Sequence, residues 1–421
     1  MVSAAPPAPP ASRRPRAARA ATALGALAAA ATLALGVLAP TARADEAAIT
    51  TQDYVSVYDF ADLRAQGLDG SGVTIAMIDG PVDTTVPELA GADITSTQVC
   101  PIDQDAAYTA HGTAVASVLA SPAYGWAPEA KILSYELPFS NSWELPPECL
   151  QDGKHTFASL LNQAINDGAD LINVSVGAFD TPTFAAVRAA QLGIPVVFGA
   201  GNDSIDVLGL GQTNGLVTVG ATDLDAHIAS YSDHGPGLTV VAPGEPITMR
   251  EADDAGALTR IATGHSGTSF AAPMVTGLLA LGMQKYPEAS GNQLLRTLIA
   301  TAASPTSGTW DEYWGWGLIQ SRDFLDADPA DEDTSDPLMD KVPGERPTAE
   351  DVADYRDGLV DPDQILNDPS YVYRGVDEYI VASHPEISQL GTSPRYRTRL
   401  PGAEASSTPS SPGAEGGTDD G

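Results

Sequence analysis

Five short runs rich in branched apolar residues recur along the chain: Val73–Ile78, Lys131–Leu137, Leu171–Val176, Ile194–Phe198 and Leu216–Ala221. Several are apolar almost without interruption. A strand buried on one face alternates apolar and polar residues, whereas an uninterrupted run is buried on both. Stretches with helical spacing lie between the runs. Phe157, Leu160, Leu161, Ala164 and Ile165 recur at helical intervals, and Asn166-Asp167-Gly168 closes that helix. This alternation predicts an α/β fold: a mostly parallel β-sheet with helices on both faces. Ligands of such sheets bind beyond the carboxyl ends of the strands. The segment IAMIDGPVD (75–83) puts Asp79 directly after the first run. By itself it reads as a strand entering an acidic turn, since Asp, Gly and Pro are ordinary turn residues.

Charge narrows the range of functions. The chain has 421 residues and a net charge of −34. Residues 1–44 hold five of its 21 basic residues and no acid, so the remainder carries 16 bases against 55 acids. A surface of that sign repels nucleic acid and anionic membranes. Residues 1–44 read as a signal peptide: Arg13, Arg14, Arg16 and Arg19, then an Ala/Leu-rich stretch to Pro40, then the cleavage site Ala42-Arg43-Ala44. Arg13-Arg14 raises the twin-arginine route beside the ordinary export route. Secretion is therefore expected, with no membrane association after signal removal. The two cysteines, Cys100 and Cys149, both lie in the exported part, where a disulfide is expected. Residues 45–326 form the expected main domain. Residues 327–421 form an acidic extension containing Pro, Ser and Gly, with a disordered end. Its central tyrosines, Tyr371, Tyr373 and Tyr379, with neighbouring branched residues, are expected to dock on the main domain.

Three stretches carry chemistry together: IAMIDGPVD, HGTAVASVLA (111–120) and GHSGTSFAAPMVTG (264–277). In this order they resemble the subtilisin-like serine proteases (the subtilase family, peptidase S8). Gly267-Thr268-Ser269-Phe270-Ala271-Ala272-Pro273 matches that family's nucleophile motif, His111-Gly112-Thr113 its histidine motif and Asp79 its aspartate. Ile172–Gly177 resembles its substrate-binding strand, and Gly199–Asn202 the segment bearing its oxyanion-hole asparagine. Further likenesses at Tyr231–Gly235, Val241–Gly244 and Trp316–Ile319 extend the resemblance over about residues 60–326.

The resemblance implies a subtilisin-like three-layer fold and a catalytic triad of Asp79, His111 and Ser269. The chemistry requires such a set. A serine hydroxyl needs a base at hydrogen-bond distance, an imidazole can take and return that proton, and a buried carboxylate fixes its tautomer. Asn202 is the expected oxyanion donor. Ser175, Val176 and Gly177 are expected to hold an extended peptide as an added strand. Asp203 and Asp206 either favour a basic substrate residue or form a solvated acidic loop. Pro273 is expected near the first turn of its helix, where a missing N–H does least harm.

No cofactor is expected. Calcium is common in the family, but no acid-rich loop matches one of its sites, and His155, His227, His234 and His265 lack metal-ligand spacing. His265 is placed near the active site. Trp310, Trp314 and Trp316 read as packing, and Asp83 as a turn residue. A monomer is expected.

The chain departs from the family pattern at Gly80-Pro81, where Thr or Ser and then Gly are usual, and at Ala114, where a second histidine is common. The Asp-Gly-Pro-Val-Asp form resembles a branch that processes ribosomally made peptides. The short gap between Ala44 and the domain start leaves no room for a large folding prosegment. The reading is a secreted serine endopeptidase. Its alternatives are an inactive binding protein on the same fold and a peptide-processing transferase using the same triad.

Overall fold

The computed structural model describes residues 47–100, 105–137, 156–177, 182–365, 368–387 and 395. The expected signal peptide, Cys149, His155 and the chain end lie outside the described residues. Among the described residues, seven strands form one sheet: β1 (Thr74–Asp79), β2 (Ile94–Gln98), β3 (Lys131–Glu136), β4 (Leu171–Val174), β5 (Val196–Gly199), β6 (Val217–Thr222) and β7 (Val240–Pro243). Their order is β2-β3-β1-β4-β5-β6-β7, and every pairing is parallel. A separate antiparallel hairpin joins β8 (Ile247–Ala252) and β9 (Leu258–His265).

The alternation of side chains along each strand divides the core in two. Ile75, Met77, Ile132, Leu171 and Val197 face one side, whereas Ala76, Ile78, Ile172, Val196 and Phe198 face the other. Helices α1 (Tyr54–Val57), α2 (Phe60–Ala65) and α3 (Ala106–Ala120) precede or follow the first strands. Helices α4 (Phe157–Asn166) and α5 (Thr183–Leu192) pack against each other, with α4 covering the second face. Helix α6 (Thr268–Lys285) lies on the first face, touching α3 and the strands from β4 to β7. It is followed by α7 (Gly291–Thr301), α8 (Ser321–Asp326) and α9 (Ala349–Arg356).

All five predicted runs are strands, with boundaries moved by one to two residues. Two sheet strands were not expected. β2, of sequence ITSTQ, is a polar and largely exposed edge strand, so burial leaves no apolar pattern in it. β7 spans only four residues. Helix α4 ends as expected: Asp167 caps it and Gly168 takes φ 84°, the left-handed value glycine adopts at little cost.

The sheet order sets where a site can form. The chain leaves β1 toward the β2–β3 side and leaves β4 toward the β5–β7 side. The carboxyl ends of these two neighbours are thus the switch point at which a crevice opens. Asp79 is the last residue of β1, and Ser175 directly follows β4.

One buried ion pair ties the hairpin to the main body. The Arg250 guanidinium on β8 donates to Glu88 Oε1 at 2.7 Å, and both side chains are buried. The same guanidinium donates to the carbonyl of Ala47 at 2.8 Å, holding the start of the described chain. Glu88→Ala removes a hydrogen bond between two buried charged groups. It is therefore expected to cost about 1.5–3 kcal/mol of unfolding free energy, measured by urea titration; an unchanged midpoint would contradict it.

Candidate active site

Asp79 and His111 are joined directly. His111 Nδ1 lies 2.8 Å from Asp79 Oδ1. A carboxylate only accepts, so the proton sits on Nδ1 and Nε2 is the nitrogen left as base. Asp79 is fully buried and His111 is half-buried. Asp79 Oδ1 also accepts from the N–H of Gly80 at 2.6 Å, while Oδ2 is buried with no protein partner. Pro81 has no N–H to offer, and Gly80 has no hydroxyl.

Two glycines allow this contact. A Cβ on Gly80 would lie 2.5 Å from the carbonyl oxygen of Tyr108 on α3. A Cβ on Gly112, next to His111, would lie 2.4 Å from the carbonyl oxygen of Gly80. Helix α3 thus rests on the turn after β1, backbone against backbone. Thr113 completes the join: its hydroxyl donates to the carbonyl of Thr109 (2.6 Å) and accepts from the N–H of Asp83 (2.9 Å). The Asp83 carboxylate accepts from the N–H and hydroxyl of Thr85, as a turn residue does.

Ser269 is the second residue of α6. Of the first three N–H groups of that helix, Thr268 donates to Asn202 Oδ1 (2.8 Å) and Phe270 to the carbonyl of Gly267 (3.0 Å). The N–H of Ser269 lies between them. Because Asn202 Oδ1 also accepts from the Thr268 hydroxyl (3.1 Å), its orientation is set and Nδ2 is the donor left for a ligand. The ring of Phe270, the neighbour of Ser269, lies 5.9 Å from that of His111.

Pro273 is not in the first turn. It is the sixth residue of α6, where its missing N–H would have bonded the carbonyl of Ser269. That carbonyl instead accepts from the hydroxyl of Ser175 at 2.9 Å. Ser175 accepts in turn from Asn173 Nδ2 (3.0 Å), and Asn173 Oδ1 accepts from the Thr276 hydroxyl (3.0 Å). A buried polar chain thus fixes the end of β4 to the start of α6. Asn173 and Thr268 lie within the quoted motifs, but neither their linking roles nor that of Thr276 was read from the sequence. The gap that Pro273 leaves four residues earlier was the one available clue.

Ser175, Val176, Gly177, Asn202 and Ser269 line one cavity of about 260 Å³. Phe198, Ile205, Leu208 and Leu210 supply its apolar wall. Asp203 and Asp233 line it as well, whereas Asp206 does not. Asp233 Oδ1 accepts from the N–H groups of Asp203 (2.9 Å) and Ile205 (3.1 Å). A larger cavity, about 720 Å³ between Ser56–Gln66 and Leu318–Asp326, contains none of these residues.

The remaining polar residues have other partners. His265 ends β9 and pairs with Glu251 at 3.1 Å. His227 pairs with Asp223, and His234 stacks on Tyr313. Trp310 donates to the carbonyl of Leu238, and Trp314 and Trp316 pack on the core. Cys100 is buried. No cluster of three or more His, Cys, Asp or Glu residues with metal-binding geometry occurs among the described residues.

A model of the subtilase family, peptidase S8, matches residues 70–317, more than half of the chain. The chain belongs to the subtilase family. It is 29% identical to subtilisin DY of Bacillus licheniformis over 276 residues, covering 61% of this chain and 92% of that protein. Among solved structures it is similar to the prenylagaramide maturation protease PagA, with 25% identity and a TM-score of 0.51. That match covers 63% of this chain and 97% of PagA. The PatG macrocyclase in complex with peptide shares the fold, at 20% identity and a TM-score of 0.53, over 67% of this chain and all of that one. The subtilisin-like α/β fold is thus established, and membership carries serine-protease-type hydrolase chemistry as the family's activity.

Two measurements probe the site. Burial disfavours the imidazolium of His111, but the charge and hydrogen bond of Asp79 outweigh it and hold the pKa above the ordinary 6.5. NMR titration of the His111 ring in Ser269→Ala protein is expected to show that elevation, and Asp79→Asn to remove it. Asn173→Ala breaks the buried chain between β4 and α6. It is expected to cost about 1–3 kcal/mol in denaturant unfolding and to lower reactivity at Ser269.

Proposed function

We propose that this chain is an exported serine endopeptidase that cleaves peptides through an acyl-enzyme. Ser269 attacks the scissile carbonyl, His111 Nε2 takes the hydroxyl proton and passes it to the leaving amine, and Asp79 holds the imidazole. The N–H of Ser269 and Asn202 Nδ2 face the developing oxyanion. The peptide lies extended along Ser175-Val176-Gly177, with a side chain in the cavity between that segment and Leu208.

The observation that carries this reading is the 2.8 Å contact of His111 with a buried Asp79, on a helix packed against α6, the helix that carries Ser269 in its first turn. Export is supported by the Arg-rich, Ala/Leu-rich start of the chain and by the family. No helix among the described residues is long and apolar enough to cross a membrane. A Cys100–Cys149 disulfide is part of the reading, supported by the absence of free cysteines among the described residues. No metal or cofactor has a role in this reaction scheme.

A fluorophosphonate reagent is expected to label wild-type protein at Ser269 and to spare Ser269→Ala. Folded wild-type protein that takes no label would favour the binding-protein alternative. Asn202→Ala should reduce kcat by about 10²–10³-fold with little change in KM, as loss of one oxyanion donor does. Because Asp79 favours the imidazolium, the base form appears late on raising the pH. The acid limb of kcat/KM is therefore expected above pH 6.5.

The apolar lining of the cavity supports preference for an apolar residue before the scissile bond. Asp203 is the carboxylate that could favour Arg or Lys instead, and a peptide series with Leu, Phe, Arg or Lys at that position decides between them. Peptide maturation is favoured as the role by the Gly80-Pro81 variant and by the likeness to PagA. Mass spectrometry of the products separates hydrolysis from transfer to an amine.

A further inference from the structure

The wall of the candidate cavity is a weak segment by itself. Residues 207–216 contain one short 3-10 turn, Gly209–Gln212, and Gly209 and Gly215 both take positive φ (56° and 86°). Glycine-rich backbone of this kind loses much entropy on ordering. Yet Leu208, Gly209 and Leu210 must hold their places to shape the cavity.

The acidic extension holds this segment from behind. Lys341 is half-buried, and its ammonium donates to the carbonyls of Gly211 (3.0 Å) and Leu216 (2.6 Å) and to the Thr218 hydroxyl (3.1 Å). The Thr218 hydroxyl itself donates to Gly211, so all three partners act as acceptors and match the three donors of an ammonium. The side chain of Asn214 accepts from the N–H of Val342 (3.0 Å) and donates to carbonyls of the extension, including that of Pro347 (3.2 Å). Backbone bonds run from Gly215 to Leu338 (2.9 Å) and from Asn214 to Arg346 (3.1 Å).

We infer that the extension is a positioning element of the substrate cavity: Lys341 fixes the segment that carries Leu208 and Leu210, and so sets how sharply the enzyme discriminates among apolar substrate side chains. The inference rests on the peptidase reading above. It assigns a function to a segment that lies beyond the family domain, since the family match ends at residue 317.

The second anchorage of the extension supplies the control. Asp368 pairs with Arg188 of α5 (3.4 Å) and accepts from Tyr355, beside the apolar cluster of Phe184, Val187, Tyr371 and Tyr373. Asp368→Asn weakens the extension without touching the cavity wall.

The test uses the full chain as wild type, Lys341→Met and Asp368→Asn. Each is assayed on peptide p-nitroanilides with Ala, Val, Leu or Phe before the scissile bond, and each is labelled with a fluorophosphonate too small to fill the cavity. A fitted apolar pocket discriminates by about 10–200-fold per methylene. Lys341→Met is expected to compress the spread of kcat/KM across the series at least about tenfold, mainly through KM, while the labelling rate stays within about twofold. Hydrogen exchange of the 209–216 amides should accelerate, with β3 unchanged. Asp368→Asn should lower the melting temperature and keep the spread. Should Lys341→Met fail to fold, Lys341→Gln keeps a donor and takes its place.

An unchanged spread in a folded Lys341 variant, or equal compression in Asp368→Asn, overturns the inference. If wild-type protein neither labels nor cleaves, the peptidase reading has failed. Exchange at 209–216 then decides on Lys341 alone, and unaltered protection in the variant rejects the clamp.

Discussion

The rest of the site depends on the close approach of α3 to the turn after β1. In this chain His111 meets Asp79 where Gly112 and Gly80 let two backbones touch, at positions where an added Cβ would collide unless the backbone shifted. A parallel sheet delivers Asp79 to the rim of a crevice but cannot supply its partner from the neighbouring strand. The helix must bring the imidazole, and packing density at the Gly80–Gly112 contact sets its position. Glycine at position 80 is thus a steric requirement here. The same substitution pattern removes the hydroxyl that could have bonded Asp79 Oδ2 and leaves that oxygen without a protein partner.

A second join, between β4 and α6, is polar. Pro273 frees the Ser269 carbonyl, and Ser175 takes it up through a chain that ends at Asn173 and Thr276. Ser175 therefore has a structural task in addition to its place on the cavity wall. The two joins place the carboxylate and imidazole on one side and the serine and asparagine on the other. They are independent: one is made of glycine contacts at α3, the other of buried hydrogen bonds at α6.

The extension adds a third layer of control from outside the family domain. It buries Tyr371 and Tyr373 against Phe184 and Val187 of α5, and it inserts Lys341 behind the cavity wall. Much of its acidic character lies on its outer surface, where charge stays solvated. Its inward residues are apolar or are paired one by one, as Asp368 is with Arg188. The docking expected of the middle of the extension is thus found at Tyr371 and Tyr373, whereas Tyr379 stays exposed.

The central strands, the end of α4 and the three motifs around Asp79, His111 and Ser269 were legible because each leaves a local pattern: continuous apolar burial, a capping triplet, a fixed order of small and reactive residues. β2 was not legible, because an exposed edge strand carries no apolar signal. Nor were the linking contacts of Asn173, Thr268 and Lys341, made to partners between 66 and 130 residues away in sequence. Sequence by itself determined the fold class and the family and named the residues proposed for the chemistry, since those rest on local periodicity and motif. Only the tertiary structure decided which nitrogen of His111 is left as base, which atom of Asn202 is left to donate and what holds the cavity wall. Each of those depends on a hydrogen-bond partner that the fold, not the neighbouring sequence, brings into reach.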